Sequence, residues 1–368
     1  MHALFCFLSL LQYLAAADDV TLVFAGDAMQ HDRQIAAAWD GNGYDYSDCF
    51  VNVAEYVSSA DYAVVNLECS LGGKPFTGYP CFSAPDNFAG ALKDAGFDLF
   101  LHANNHCLDR RDAGLMRTLN VLDSMGVEHI GTYRSQSERD SLSPFIAEVK
   151  GMKIAFLNYT YGTNGIVAQR GTVVDYIDKG KIRADIQKAR VLGAELLVAC
   201  VHWGTEYKLL QNAEQESLAG FLEDEGVDLI IGGHPHVVQP MMIRESRKYG
   251  KKVLVAYSLG NFISAMRTAD TRGGVVLRVV VGRSRGKPYI KGADYKLVFV
   301  NSDDGYILVT DSERHLLSTA MKKHFDVFME RAGNVFRMHN VGVSEEVKLK
   351  IPDLKAVVNE YDSVEYIR

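Results

Sequence analysis

The sequence predicts an α/β fold in which most strands are parallel. Short β-branched runs recur along the chain, and each ends in a polar residue followed by a loop or a helix: 20–25, 62–67, 97–102, 196–201, 227–231 and 253–258. Helix-like segments fall between several of them: 86–95, 112–125, 178–193 and 212–225. Apolar strands that alternate with helices are typical of parallel sheets covered on their faces by helices.

Other strand-like runs depart from this alternation. Residues 145–149 and 153–157 flank a hairpin-like turn at 150–152, and residues 274–281 and 295–300 have no helix between them. Hairpin-linked strands pair antiparallel. We therefore expect antiparallel strands to join the fold, most simply as a second sheet packed on the first.

Composition limits the classes of function. The chain has 368 residues, of which 48% are hydrophobic and 23% charged, so it can bury a full core. Its formal net charge is −7 and it contains no basic run, which argues against nucleic acid as a partner. The length allows one or two domains.

The N-terminus resembles a signal peptide over residues 1–17. An apolar run at 3–11 is followed by Ala15-Ala16-Ala17, a small-residue cleavage site before Asp18. A buried first strand is the alternative, because His2 is the only basic side chain ahead of the apolar run. We predict an exported protein, periplasmic or at the cell surface, with a main domain at 18–310 and a helical C-terminal extension at 311–368.

Six cysteines are present, and cleavage after residue 17 would leave five. An odd number argues against a complete disulfide framework. Cys69 and Cys81 are the candidates for one bridge in an oxidising compartment, whereas Cys200 lies in an apolar strand and is expected to be buried. No C-x-x-C pair occurs, which argues against a thiolate zinc site.

Polar residues cluster at or just after the predicted strand ends. They are Asp27, His31, Glu68, Asn105, His106, His202, His234 and His236. Carboxyl ends of parallel strands are where α/β proteins place their chemistry. Each residue also has an ordinary interpretation: Asp27 as a helix cap, Asn105 as a turn residue, His202 as a core histidine.

The mixture of carboxylate, imidazole and amide suits Mn, Fe, Zn or Ni better than Ca or Mg. Eight such groups exceed the needs of one ion, and two divalent ions bridged by a carboxylate would use them. The predicted cofactor is therefore a pair of divalent transition-metal ions.

Six motifs occur in one order along the chain: Gly26-Asp27-Ala28-Met29, Val65-Asn66-Leu67-Glu68, Ala103 to Asp109, His202 to Tyr207, Gly233-His234-Pro235-His236 and Tyr257 to Phe262. Together they resemble the bacterial poly-γ-glutamate capsule synthesis proteins of the CapA type, which are related to the calcineurin-like metallophosphatases. The resemblance implies a four-layer α/β/β/α sandwich of the metallo-dependent phosphatase type, with a two-metal centre between the sheets.

The resemblance also implies roles for individual residues. Asp27 and His236 would hold one ion, with His31 as a further candidate. The ligands of the other ion would be Asn105, His202 and His234. Glu68 would bridge the two ions where the phosphatases use an aspartate, and its longer side chain puts phosphatase-like kinetics in question.

Further residues would act on the substrate. His106 would protonate the leaving group and Asp109 would orient it. Asn261, with Glu206, would flank the ligands, and Asn261 is a candidate substrate contact. Arg110 and Arg111 come directly after Asp109 in the sequence. They could pair with an anionic substrate. The alternative for both arginines is a solvated helix face, with Asp109 and Asp112 as ion-pair partners.

The functional prediction is a metal-dependent hydrolase of the phosphoesterase type, acting on a phosphate ester or a γ-glutamyl amide during synthesis or remodelling of a surface polymer. The alternative is a non-enzymatic accessory protein that binds an anionic polymer beside a membrane synthase. A metal amidohydrolase barrel is disfavoured, because such barrels open with His-x-His whereas Asp27 follows the first strand here.

Overall fold

The structure is a computed structural model that describes residues 18–346. The predicted signal peptide and residues 347–368 of the predicted extension lie outside the described residues. The α-helices of the described part are α1 Asp32–Ala37, α2 Val51–Ser58, α3 Asp86–Asp94, α4 Arg111–Met125, α5 Gln136–Leu142, α6 Lys179–Val191, α7 Ala213–Asp224 and α8 Thr319–His339. Short 3-10 helices occur at Ser47–Phe50, Ala269–Thr271 and Asp311–Leu316.

The strands within residues 18–346 are β1 Val20–Ala28, β2 Tyr62–Leu67, β3 Leu99–Leu101, β4 Glu128–Ile130, β5 Thr132–Tyr133, β6 Phe145–Val149, β7 Met152–Thr160, β8 Val173–Val174, β9 Leu196–His202, β10 Leu229–Gly233, β11 Met241–Glu245, β12 Lys252–Ala256, β13 Asn261–Ile263, β14 Gly273–Ser284, β15 Lys287–Asn301, β16 Ile307–Val309 and β17 Val343–Glu345.

Most of these strands form two mixed sheets. The first runs β16-β15-β14-β1-β2-β3-β4, with β13 beside β1 and β17 beside β15; the second runs β11-β12-β10-β9-β7-β6. The expectation that the antiparallel strands would make up the second sheet is wrong. Parallel strands are divided between both sheets, and each sheet takes antiparallel neighbours at its edges: β14 pairs with β1 in the first, β6 with β7 in the second.

Alternating side chains of β1 show how the first sheet is sandwiched. Val20, Leu22 and Phe24 belong to the core between the two sheets, whereas Val23 and Ala25 belong to a second cluster beneath α2 and α3. Successive strand residues point to opposite faces, so an all-apolar strand must be covered on both sides.

The second sheet is covered in the same way. Leu197 and Ala199 of β9 pack with Ile182 of α6 and Leu218 of α7, while Val198 faces the first sheet. The order of layers is therefore helix, sheet, sheet, helix. The predicted four-layer α/β/β/α architecture is confirmed.

Helix α8 closes one side of the core between the sheets. The Ser318 hydroxyl caps it by accepting the Met321 N–H at 3.2 Å. The rings of Phe325 and Phe328 lie 5.5 Å and 6.0 Å from that of Phe299 in β15. The apolar stripe of α8 is part of the core between the sheets. No helix within residues 18–346 is long and apolar enough to cross a bilayer.

The five cysteines within the described residues are free. Cys69 is fully buried, whereas the Cys81 thiol donates to the Asp109 carbonyl at 2.9 Å. The prediction of a bridge between Cys69 and Cys81 is therefore wrong, because the Cys81 thiol has its own partner on the Asp109 backbone. Cys200 is buried in β9, as predicted.

Candidate metal centre

The carboxyl ends of the central strands of both sheets meet at one edge of the sandwich. Six of the predicted ligands converge there, all of them buried: Asp27, Glu68 and Asn105 from the first sheet and His202, His234 and His236 from the second. A site built from two sheets places groups that are distant in sequence within a few ångströms of one another.

A bulge in β1 aims Asp27 at the second sheet. Pairing of β1 with β2 shifts register between Ala25 and Asp27, and a one-residue shift moves a side chain to the other face. The backbone of the second sheet then approaches closely. A Cβ on Gly233 would lie 2.7 Å from Asp27 Oδ1, so only glycine leaves room for the carboxylate there.

The His-Pro-His loop is held in a strained conformation. His234 and His236 have φ values of +97° and +58°, a region that costs non-glycine residues about 1–3 kcal/mol each. Two hydrogen bonds oppose the strain: Asp27 Oδ2 accepts the His234 N–H at 3.1 Å, and the Pro235 carbonyl accepts the Tyr207 N–H at 2.8 Å. Strain maintained by such contacts is typical of functional loops.

Glu68 lies at the centre of the cluster. Its Oε1 is 3.4 Å from His202 Nε2 and 3.9 Å from His236 Nε2. Two sets of three residues have ligand atoms within 4.8 Å of one another, Asp27–Glu68–His236 and Glu68–His202–His234. Glu68 belongs to both sets.

Two further groups extend these sets. Asn105 Oδ1 lies 2.7 Å from His202 Nε2, beside the second set. The carboxylate of Glu206 forms a third cluster with His234 and His236, again within 4.8 Å. Glu206 is only partly buried, so it lies at the solvent side of the centre.

The protonation state of the cluster fits a cation site. Burial, reinforced by the charge of Asp27, raises the pKa of Glu68 well above its ordinary value. Burial and neighbouring histidines lower the pKa of His202 well below its ordinary value and that of His234 to about 3. Neutral imidazole is the form that binds metals, and buried carboxylates need positive charge beside them.

Two atoms of the cluster lack hydrogen-bond partners within residues 18–346: Glu68 Oε1 and His234 Nδ1, both buried. Buried polar atoms are nearly always paired in folded proteins. The two free atoms, together with nitrogen and oxygen donors of the type that divalent transition metals prefer, show that these residues fit such ions.

His31 is engaged outside the two sets of ligands. It precedes α1, and its Nδ1 lies 3.2 Å from Gln34 Oε1 and accepts the Ala265 N–H at 3.3 Å. Its ring meets the edge of Phe82 at 5.3 Å between centroids. His31 thus lies beside the cluster, and its Nδ1 already contacts Gln34 and the Ala265 backbone.

His106 and Asp109 form the predicted pair. Asp109 Oδ2 lies 2.8 Å from His106 Nδ1 and also accepts the Phe82 N–H at 2.7 Å. The Asn104 side chain accepts the His106 N–H at 3.1 Å, which fixes the backbone. Asp109 can therefore accept a proton carried on His106 Nδ1, which orients the ring.

Asn261, predicted as a substrate contact, is fully buried behind a ligand. Its Oδ1 lies 3.1 Å from His236 Nδ1, and its Nδ2 donates to the Thr271 carbonyl at 2.9 Å. In this position it orients the His236 ring and leaves Nε2 directed at Glu68, 3.9 Å away.

Arg110 and Arg111 lie at the start of α4. Arg110 Nη1 donates to the Pro75 carbonyl at 3.0 Å, and Arg111 is exposed. This exposure agrees with the solvated helix face, but the ion pairs expected with it are not seen within residues 18–346. Asp109 binds His106, and Asp112 accepts bonds from the segment after β7.

Two asparagines of the site were not predicted from the sequence. Asn66 Nδ2 donates to Asp27 Oδ1 at 2.8 Å, and Asn66 Oδ1 accepts from Asn104 Nδ2 at 3.2 Å. The signal for Asn66 was a polar residue inside the apolar run of β2, where an amide requires a partner. Through these two bonds, Asn66 and Asn104 connect Asp27 to the loop that carries His106.

The fold is that of the metallo-dependent phosphatase type, as predicted, and the cluster lies at the edge of its two sheets. The structure is similar to that of the NAD nucleotidase of Haemophilus influenzae, with a TM-score of 0.51 and 13% identity over 94% of this chain and 67% of that one. It was also matched to a calcineurin-like phosphoesterase of Bacillus subtilis, with a TM-score of 0.45, 12% identity, and coverage of 86% of this chain and 99% of that one.

Residues 21–266 match the model of the bacterial capsule synthesis protein family PGA_cap, and the chain belongs to that family. It is 28% identical to the capsule biosynthesis protein CapA of Bacillus anthracis over 261 residues, 67% of this chain and 60% of that protein. It is also 28% identical to the PGA biosynthesis protein CapA of Bacillus subtilis over 280 residues, 71% of this chain and 68% of that protein.

Proposed function

We propose that the protein is an exported, metal-dependent hydrolase of the phosphoesterase type that acts in the synthesis or remodelling of a capsule or another surface polymer. The observation that carries the proposal is the position of Glu68, which is shared by two sets of ligands and has an unpaired buried oxygen. Membership of the capsule synthesis family supports the biological setting.

The residues divide by role. Asp27 and His236 would hold one divalent ion, Asn105, His202 and His234 the other, and Glu68 both. Divalent ions at such a centre activate water and neutralise negative charge on the transferring group.

His106 would transfer a proton through Nε2 to the leaving oxygen or nitrogen, with Asp109 holding its Nδ1 proton at 2.8 Å. The ring of Phe82 packs against that of His106, with 4.6 Å between their centroids. This packing limits rotation of the imidazole and keeps Nε2 in one direction.

Metal analysis combined with an activity screen tests the proposal. Protein purified without chelators should contain about two transition-metal ions per chain and should hydrolyse a phosphomonoester, a phosphodiester or a γ-glutamyl peptide. A folded protein that never binds metal would overturn the metal centre. Full metal content without turnover of any substrate class would favour the non-enzymatic, polymer-binding alternative.

Export and partners belong to the same proposal. The apolar run at 3–11 and Ala15-Ala16-Ala17 support cleavage before Asp18, and a membrane synthase is the proposed neighbour. N-terminal sequencing of material from outside the cytoplasm should begin at Asp18. An intact Met1 on the mature protein would contradict export by this route.

A further inference from the structure

Three exposed tyrosines surround the candidate metal centre. Tyr79, Tyr161 and Tyr207 are 69%, 47% and 53% exposed. Each of them contacts a different histidine of the site: Tyr161 lies 4.5 Å from His234, Tyr207 6.2 Å from His236 and Tyr79 6.5 Å from His106, measured between ring centroids. We call these three residues the tyrosine rim.

The backbone fixes the rim to the elements that carry the site. The Tyr161 N–H donates to the His202 carbonyl at 3.0 Å, and the Tyr207 N–H donates to the Pro235 carbonyl at 2.8 Å. Tyr79 lies in a loop closed by paired hydrogen bonds between Thr77 and Ser83, at 3.1 and 2.8 Å. The backbone of each rim residue is therefore held close to the site, and part of each ring is exposed.

Glu206 lies beside the rim, because its carboxylate is within 4.8 Å of ligand atoms of His234 and His236, the two histidines that Tyr161 and Tyr207 contact. Its carboxylate is close enough to Tyr161 and Tyr207 to raise the pKa of both phenols, to about 12 in each case, after the larger effect of burial. The phenol of Tyr79 is in turn close enough to that of Tyr207 to raise its pKa further. The three rings and Glu206 therefore all lie beside the histidines of the site.

Aromatic faces, phenol hydroxyls and a carboxylate suit an uncharged ring that carries hydroxyl groups. Such a ring stacks on tyrosine and donates its hydroxyls to the carboxylate.

We propose that the tyrosine rim and Glu206 form a subsite for the alcohol part of the substrate, and that this part is a sugar ring, so that the substrate is a carbohydrate phosphate ester. The inference rests on the proposed function, since it assigns the phosphate to the metal centre. In this proposal the rim recognises the alcohol part of the substrate, and the metal centre recognises its phosphate.

Ligand-observed NMR on the metal-loaded protein tests the rim. The probes are glucose 6-phosphate, glycerol 3-phosphate, p-nitrophenyl phosphate and inorganic phosphate. Wild type should bind glucose 6-phosphate roughly tenfold more tightly than glycerol 3-phosphate, as expected for one or two ring contacts. In Tyr161→Leu and Tyr207→Leu, the affinities for glucose 6-phosphate and glycerol 3-phosphate should become nearly equal. Tyr161→Phe should keep more of the preference for glucose 6-phosphate.

Controls separate the subsite from the metal centre. The Leu variants should keep their metal content and their affinity for inorganic phosphate, and Tyr289→Leu, which replaces an exposed tyrosine of β15, should bind all four probes like wild type. Equal binding of glucose 6-phosphate and glycerol 3-phosphate, or a ratio unchanged in both Leu variants, would overturn the subsite. Tighter binding of p-nitrophenyl phosphate than of glucose 6-phosphate would overturn its assignment to a sugar. Failure to bind even inorganic phosphate would overturn the proposed function along with it.

Discussion

Glu68 shows how one residue couples the two halves of the centre. It follows β2, its carboxylate is fully buried, and it is the member common to the sets that contain His236 and His202. Under the proposed assignment, removing Glu68 would affect both ions, whereas removing His106 would affect neither.

Substitution of a metal ligand and substitution of the general acid should therefore have different effects. Glu68→Ala and His234→Ala should lower metal occupancy, with Glu68→Ala the more severe because both sets lose a donor. His106→Ala should keep the metal and lower kcat by about 10²–10⁴, the usual contribution of a general acid. Elemental analysis and steady-state kinetics on the same preparations measure both. Equal loss of metal in His106→Ala and Glu68→Ala would show that the roles are wrongly assigned.

His102 offers a test of burial that does not touch the ligands. It follows β3, fully buried, with Nδ1 2.8 Å from the Thr132 hydroxyl. Burial, with a smaller effect of His129, lowers its pKa from 6.5 to about 3. The unfolded chain therefore binds a proton at His102 between these values while the native protein does not, and stability falls as pH falls through this window.

The expected contribution is a slope of about 1.4 kcal/mol per pH unit between about pH 6 and pH 4. Urea unfolding at several pH values should show a shallower dependence for His102→Gln than for wild type, whatever its stability at neutral pH. His315→Gln, which alters an exposed histidine, should keep the wild-type slope. Parallel curves for His102→Gln and wild type would mean that His102 does not carry this effect.

At the scale of elements, the segment between β7 and β8, residues 161–172, connects the site to α4. Asp112 of α4 accepts the Gln169 and Arg170 N–H groups, each at 3.0 Å, and the Thr172 hydroxyl at 2.6 Å. At its other end the segment begins with Tyr161, against His234. One buried carboxylate thus organises a loop that reaches the metal centre.

Asp112→Ala should loosen this segment. It leaves several donors without their acceptor, which costs about 1–3 kcal/mol, and it should accelerate proteolytic cleavage within residues 161–172. Asp123→Ala in the same helix removes a more exposed ion pair with Arg134 and should cost less than about 1 kcal/mol. Mass spectrometry of limited digests locates the cuts. Cleavage of the segment at equal rates in the two variants would contradict the anchoring role.

The elements themselves could largely be predicted from the sequence. Runs such as 196–201 and 253–258 are long, apolar and β-branched, and the structure has strands there. Strand ends carrying Asp27, Glu68 and His202 were expected to converge, because carboxyl ends of parallel strands share an edge. Which strand joins which sheet was not predictable, since hydrogen-bonded neighbours are chosen by contacts distant in sequence.

Other parts of the site left little signal in the sequence. Tyr79, Tyr161 and Tyr207 lie in irregular segments, and only the folded loops bring their rings to the histidines. Asn66 could have been identified as a polar residue within a buried strand, but its partner Asp27 lies 39 residues away. Such pairs depend on the bulge in β1, which apolar periodicity does not reveal.

At the scale of the molecule, the core between the sheets depends on α8. Phe328 is 1% exposed and packs on Phe299 of β15. Phe328→Ala should lower the free energy of unfolding by about 3–5 kcal/mol. Val327→Ala changes its 44%-exposed neighbour and should alter stability by less than about 0.5 kcal/mol. Equilibrium denaturation decides; similar small losses in both variants would place α8 outside the cooperative core.

The division of the ligands between two sheets also sets the order of events during folding. Asp27, near the start of the chain, and His236, some two hundred positions later, come together only when the sheets dock, so a half-folded chain offers no site. Under the proposed function, the ion acquired would be the one present where docking is completed. Refolding with a metal-sensitive dye should show uptake only in the final kinetic phase; uptake in the first phase would mean that one sheet captures metal alone.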